Sequence, residues 1–225
     1  LEPKLAFNIM ELTRKGKVAK NGFPEGAEEA MREHDVPEWY MDSCRKIKYM
    51  FPKAHAVAYL IAAIRLMWFK VYHPQAFYAV WFTVRGDDID YEAAVGGKDV
   101  AMRHLKEINA RLREERKAKD EDIQVSLQLV NEMLQRGYEF LPICLGKSRA
   151  TKYVLEDDKV RLPYASLKGV GESAAIALEK AAEQGGYLSV EELQSMSGVS
   201  SAVMETLRQA GALGDLPDSN QLSFF

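Results

Sequence analysis

Apolar residues recur at helical spacing in the first stretch, LAFNIMELTRKG, where Leu5, Ile9 and Leu12 share a face and Gly16 closes the run. The pattern predicts a helix that delivers Arg14, Lys15 and Lys17 to its C-terminal end and the loop beyond. AEEAMREHD reads as a short helix, and VPEWYMDSCRKIKYM as another with Pro37 near its start. The next segment abandons amphipathicity. FPKAHAVAYLIAAIRLMWFKVYHPQAFYAVWFTV is too apolar for a surface helix and predicts two buried helices, separated at His73-Pro74 where proline interrupts the hydrogen-bond ladder. Trp68, Phe69, Phe77, Tyr78, Trp81 and Phe82 fall at spacings that assign them to the core.

Further on, GKDVAMRHLKEINARLREERKAKD is a charged helix. EDIQVSLQLVNEMLQRG is an amphipathic one, with Ile123, Leu127, Val130 and Leu134 on a face and Gly137 ending it. The runs then shorten: YEFLPICL, TKYVLED and KVRLPY are β-rich and joined by turn residues, as in a small sheet or hairpin. LPYASLKGVGESAAIALEKAAEQGG follows with an apolar lead, the turn Gly169-Val170-Gly171 and a small-residue helix beginning near Ser173. That spacing suits a helix-hairpin-helix, in which glycines permit the tight turn and let backbone approach a phosphate at a helix N-terminus. Lys168, Gly169, Val170, Gly171 and Ser173 are therefore the DNA-binding candidates. LQSMSGVSSAVMETLRQAGALGDL reads as a second, degenerate copy with Gly198-Val199-Ser200 in the turn, able to complete the packing unit without the second glycine. The expected fold class is mostly α with a small β-sheet or hairpin: an α-helical segment, then an α+β domain containing a helix-hairpin-helix pair over about residues 162–214.

Composition changes this picture little. Thirty basic against thirty-three acidic side chains leave a net charge of -3, so bulk charge names no partner. Cys44 and Cys144 lie far apart, which suggests neither a disulfide framework nor a structural zinc site and fits a reducing cytoplasm. The first residues do not read as a signal peptide, and AVAYLIAAI is too short to span a bilayer, so no membrane segment is expected. Local charge is more informative. Between Ser43 and Gly86 there is no acidic residue, while Arg45, Lys46, Lys48, Lys53, Arg65, Lys70 and Arg85 are basic. Lys53 and His55 open an apolar helix, where free amides and the helix dipole favour a phosphate; the competing reading is a solvated lysine and a satisfied core histidine. Asp87, Asp88 and Asp90 invite a two-metal reading, although an acidic pair ahead of a helix more often caps and charges its N-terminus. The composition shift that follows them predicts a domain boundary near residue 90.

DVPEWYMDSCRKIKYMFPKAHAVAY, FYAVWFTVRGDDID, LKGVGES and GDLPDSNQLSFF together resemble the C-terminal part of the PolC-type DNA polymerase III alpha subunit family. The resemblance covers essentially the whole chain. It implies that residues 1–90 are the end of a fingers domain, residues 91–218 a duplex-binding domain and residues 219–225 a clamp-binding tail. It assigns Arg14, Lys15, Lys17, Lys46, Lys48, Lys53 and His55 to the incoming nucleotide's triphosphate or the template strand. Gln221, Leu222, Ser223, Phe224 and Phe225 resemble the short peptide that docks on the sliding clamp, although the family usually has Leu or Ile where Phe224 stands. Primer-template DNA, a deoxynucleoside triphosphate, the sliding clamp and other replisome subunits are the implied partners, with no membrane. The family's catalytic aspartates and their two Mg²⁺ ions belong to a palm that precedes this segment. No catalytic residue or metal ligand is therefore expected here, and the isolated chain is expected not to polymerise. Two other readings are a free-standing helix-hairpin-helix module associated with the clamp, which has no use for IKYMFPKAH, and a metal nuclease built on Asp87, Asp88 and Asp90.

Overall fold

A computed structural model describes residues 1–220, and contacts divide it into two compact units, Leu1–Arg65 and the chain from Leu66 onward. The first unit begins with α1 (Pro3–Arg14), whose first amides, those of Lys4 and Leu5, donate to the Glu2 carboxylate at 3.0 and 2.8 Å. Gly16, at φ +67°, turns the chain directly into a short helix, α2 (Lys17–Asn21), so Lys17 lies in a helix rather than in the expected loop. After α3 (Ala27–Glu33) and α4 (Glu38–Lys46), α5 (Lys53–Tyr72) starts beyond an extended stretch. Ile9, Ala27, Met31 and Met41 form this unit's small core. Arg45 ties α3 to α4, reaching Glu28 at 2.9 Å and Asp42 at 2.7 Å.

The expected break at His73-Pro74 is present, but α5 is not a buried helix. Every residue along it is exposed except Lys70, which is half-buried, and Trp68 and Phe69 each keep 49% of their surface. All-round apolarity signals that a helix needs cover, and no described element supplies that cover. The apolar segment within it is also longer than AVAYLIAAI suggested: the helix has 20 residues and is long and apolar enough to cross a membrane by length and composition.

In the second unit, α6 (Pro74–Arg85) buries Tyr78, Ala79 and Phe82. A 3₁₀ turn at Gly86–Asp88 leads to α7 (Tyr91–Val95), and α8 (Lys98–Glu114) pairs with α9 (Ala118–Gln135), which buries Leu127, Val130 and Leu134 as its periodicity predicts. The strands are β1 (Phe140–Leu141), β2 (Val154–Glu156) and β3 (Lys159–Arg161), in the order β1-β3-β2. The β2–β3 pair is an antiparallel hairpin whose turn residues Asp157 and Asp158 both take positive φ, and β1 joins β3 in parallel, with Phe140 opposite Val160. A 3₁₀ turn at Tyr164–Ser166 precedes α10 (Glu172–Gln184), α11 (Val190–Ser197) and α12 (Ser201–Gln209). One continuous core runs through this unit, from Tyr78 and Phe82 to Leu207 and Leu213. Because α6 joins that core, contacts divide the chain into compact units between Arg65 and Leu66.

Candidate nucleic-acid interface

Two regions carry the features that nucleotides and nucleic acids require. In the first unit, the turn after α1 lies against the segment before α5: the Met50 amide donates to the Arg14 carbonyl at 3.0 Å. Gly16 is indispensable to this approach, because a Cβ there would stand 1.9 Å from the Lys48 carbonyl oxygen. Arg14, Lys15 and Lys17 are thereby brought beside Lys46 and Lys48. Their charges are not equally free. Glu11 takes Arg14 at 2.8 Å and Lys15 at 2.8 Å, and hydrogen bonds from these two cations hold its carboxyl down at about 2. Lys17, Lys46, Lys48 and Lys53 are exposed and unpaired among the described residues.

Lys53 and His55 do stand at the start of α5, where the Ala56 amide makes the first intrahelical bond, to Pro52 at 3.1 Å, after the amides of Lys53, Ala54 and His55. His55 is not a core histidine. Its ring is stacked on Phe51 with centroids 5.7 Å apart and lies 4.5 Å from Tyr59, and Phe51 in turn meets Tyr49 at 4.6 Å. Tyr49, Phe51 and Tyr59 are 54%, 61% and 67% exposed, so the ladder presents aromatic faces to solvent beside unpaired lysines. Aromatic faces stack on bases and ammonium groups meet phosphates, so this pairing is the chemistry of nucleotide binding. The sequence reading missed Tyr49, Phe51 and Tyr59; the signal was the four-residue step from Phe51 to His55 to Tyr59, which carries the ladder from just before α5 onto one face of its first turns.

The second region is the pair of hairpins. In the first, Gly169 adopts φ +95°, Val170 is buried beneath the turn, and Gly171 is the N-cap of α10 with φ -73° and ψ 163°. Any residue can adopt the Gly171 conformation, and a Cβ there would meet nothing within 4 Å. Its lack of a side chain leaves open space outside the backbone, with the amides of Glu172, Ser173 and Ala174 ahead of the first intrahelical bond, from Ala175 to Gly171. Lys168 is exposed next to this turn, and Glu172 adds a carboxylate in the first turn of the helix. The lead into the hairpin is the 3₁₀ turn rather than a full α-helix. The second copy repeats the geometry: Gly198 at φ +68°, buried Val199, and Ser200 at φ -69° and ψ 156°.

The acidic triad does not converge. Asp90 caps α7 through the Ala93 amide at 3.0 Å and holds His104 at 2.7 Å, and Asp87 and Asp88 lie in the preceding 3₁₀ turn. Among the described residues there is no group of three His, Cys, Asp or Glu side chains able to hold a metal ion. These residues do not fit a two-metal site, and capping is what Asp90 does. Gln221, Leu222, Ser223, Phe224 and Phe225 lie outside the described residues.

Against this geometry, a family model described as a helix-hairpin-helix motif matches residues 137–222. The chain is also similar along its entire length to proteins named DNA polymerase III PolC-type: 45% identical to that of Bacillus cereus and 44% to that of Bacillus subtilis, covering 100% of this chain and 15% of each relative. The corresponding protein of Caldanaerobacter subterraneus subsp. tengcongensis is 44% identical over 100% of this chain and 16% of its own length. The chain thus spans about 15% of the length of the curated relatives it matches.

Proposed function

Because this chain belongs, over its whole length, with a segment of PolC-type DNA polymerase III, we propose that it works as one part of a bacterial replicative DNA-directed DNA polymerase, handling substrates whose chemistry is completed elsewhere in a longer polypeptide. Residues 1–90 act as the end of a fingers domain and residues 91–218 as a duplex grip. Lys17, Lys46, Lys48 and Lys53 face the triphosphate of an incoming deoxynucleotide or the template backbone, and Arg14 and Lys15 add the charge that Glu11 does not neutralise. His55, between Phe51 and Tyr59, supplies a ring edge beside that charge and a surface for a base. The hairpin at Lys168–Ser173 holds the duplex by its phosphates and reads no base.

The observation that carries this reading is the match along all 225 residues. A free-standing clamp-associated DNA-binding module needs the hairpins but not the basic and aromatic surface of the first unit. The two Mg²⁺ ions of such a polymerase would be held in a palm outside this segment, since Asp87, Asp88 and Asp90 do not converge on a metal. The reading also places the protein in the cytoplasm without a membrane: Arg65 falls within the long apolar helix, and a cation at mid-helix costs about 3 kcal/mol in a bilayer.

In a complete enzyme, the Lys53→Ala, His55→Ala double variant is expected to lower kcat/KM for the incoming nucleotide by roughly tenfold or more while leaving duplex affinity unchanged. Primer-extension kinetics equal to those of the parent would remove the nucleotide role. Residues 221–225 are proposed to dock on the sliding clamp. Calorimetry with a bacterial clamp should show binding by this chain and none by one ending at Asn220, and equal binding by both would exclude the tail as the anchor.

A further inference from the structure

The two hairpins share a backbone and differ in what surrounds it. At the first, no side chain caps α10, exposed Lys168 stands beside the turn against the single first-turn carboxylate Glu172, and Glu179 and Glu183 farther along the helix are both engaged by Arg149. At the second, Ser200 Oγ accepts the Val203 amide at 3.3 Å, and the side chain of Gln194 reaches across the turn to the Val199 carbonyl at 3.4 Å and to Ser201 Oγ at 3.0 Å. The surroundings are acidic as well: across residues 188–220, Glu191, Glu192, Glu205, Asp215 and Asp218 stand against a single basic residue, Arg208. A phosphate there would meet capped backbone and excess negative charge.

The N-terminus of α11 is also taken, and by the chain itself. The Val190 amide donates to the Pro217 carbonyl at 2.8 Å, the Glu191 amide to the Asp218 carbonyl at 3.1 Å, and the Glu192 amide to Ser189 Oγ at 3.2 Å. Two side-chain links hold the same segment: Arg208 pairs with Asp218, and Asn220 hydrogen-bonds Glu192. PDSN is therefore seated on the second motif over its length, not a free linker.

We propose that the hairpins divide the work: the first alone meets DNA phosphates, and the second is closed to them and serves as the seat of residues 217–220. The seat fixes Asn220, the last described residue, on the same unit as the DNA-gripping turn. The division rests on reading the first hairpin as a duplex grip, and a matched pair of substitutions separates the two claims.

Asp is a good N-cap, and both Gly171 and Ser200 have backbone angles that accept it, so Gly171→Asp and Ser200→Asp keep the fold while placing a carboxylate at each turn. Measured by fluorescence anisotropy on a primer-template duplex, Gly171→Asp is expected to weaken binding by roughly tenfold and Ser200→Asp by less than about twofold. Equal weakening by both overturns the division of labour but leaves the duplex grip standing. If neither weakens binding, the grip itself is lost. Hydrogen exchange tests the seat directly: the Val190 and Glu191 amides should be protected in the parent chain and exchange several-fold faster in Arg208→Ala, and unprotected amides in the parent chain would overturn it.

Discussion

Glu132 shows how much one side chain can hold. It accepts Lys70 Nζ at 2.7 Å and the Tyr78 hydroxyl at 3.0 Å, and that same phenol oxygen accepts Arg136 at 3.0 Å. Burial pushes the Tyr78 phenol up to about 12, so it remains a donor at neutral pH. Burial also pushes the Glu132 carboxyl upward, but the hydrogen bonds from Lys70 and Tyr78 outweigh it and the net shift is downward. A carboxyl lowered in the folded state stabilises above its unfolded pKa, and that contribution is lost as pH falls through the folded value. Glu132→Gln should therefore cost on the order of 1 kcal/mol at pH 7, discounted for a partly exposed group. Thermal melts from pH 7 down to pH 3 should show the gap between parent and variant narrowing as Glu132 protonates; a gap that stays constant would mean that its charge is not what stabilises.

At the scale of elements, what was legible in the sequence was local. Gly16, Gly169 and Gly198 were read as turns because positive φ is a property of the residue and its immediate neighbours. The stripe of α9 and the break at Pro74 follow from spacing and from proline's missing donor. Capping was legible as a role but not as a residue: Asp90, and not the Asp87-Asp88 pair, accepts the Ala93 amide three residues on. What stayed illegible depends on distant partners. Glu11 is the exception: it pairs with Arg14 and Lys15 at i,i+3 and i,i+4 along α1, a spacing the sequence itself displays. Nothing in PDSN announces that its carbonyls will cap a helix 27 residues upstream, from Pro217 to Val190. The aromatic ladder at His55 lies between these cases: its spacing was visible, but its exposure was not, because hydrophobicity measures the wish for a neighbour and not its presence.

At the scale of the molecule, the core from Tyr78 to Leu213 makes the second unit a firm base for the hairpins, whereas the first unit has only the small cluster of Ile9, Ala27, Met31 and Met41. The uncovered helix α5 sets how such a chain behaves in water. Val57, Leu60, Ile64, Met67, Trp68 and Val71 are among its large apolar side chains left exposed. A contiguous surface of that kind drives molecules together, and the gain from hiding it grows with concentration. Purified by itself, the chain is expected to form reversible oligomers, seen in sedimentation velocity as a weight-average coefficient that climbs with loading concentration and falls back in mild non-ionic detergent. A coefficient independent of loading would show that the helix finds cover within a single chain. Colloidal behaviour of this kind has a practical cost for the assays above: binding isotherms are interpretable only at concentrations below the onset of self-association, and the first experiment on this protein should locate that onset.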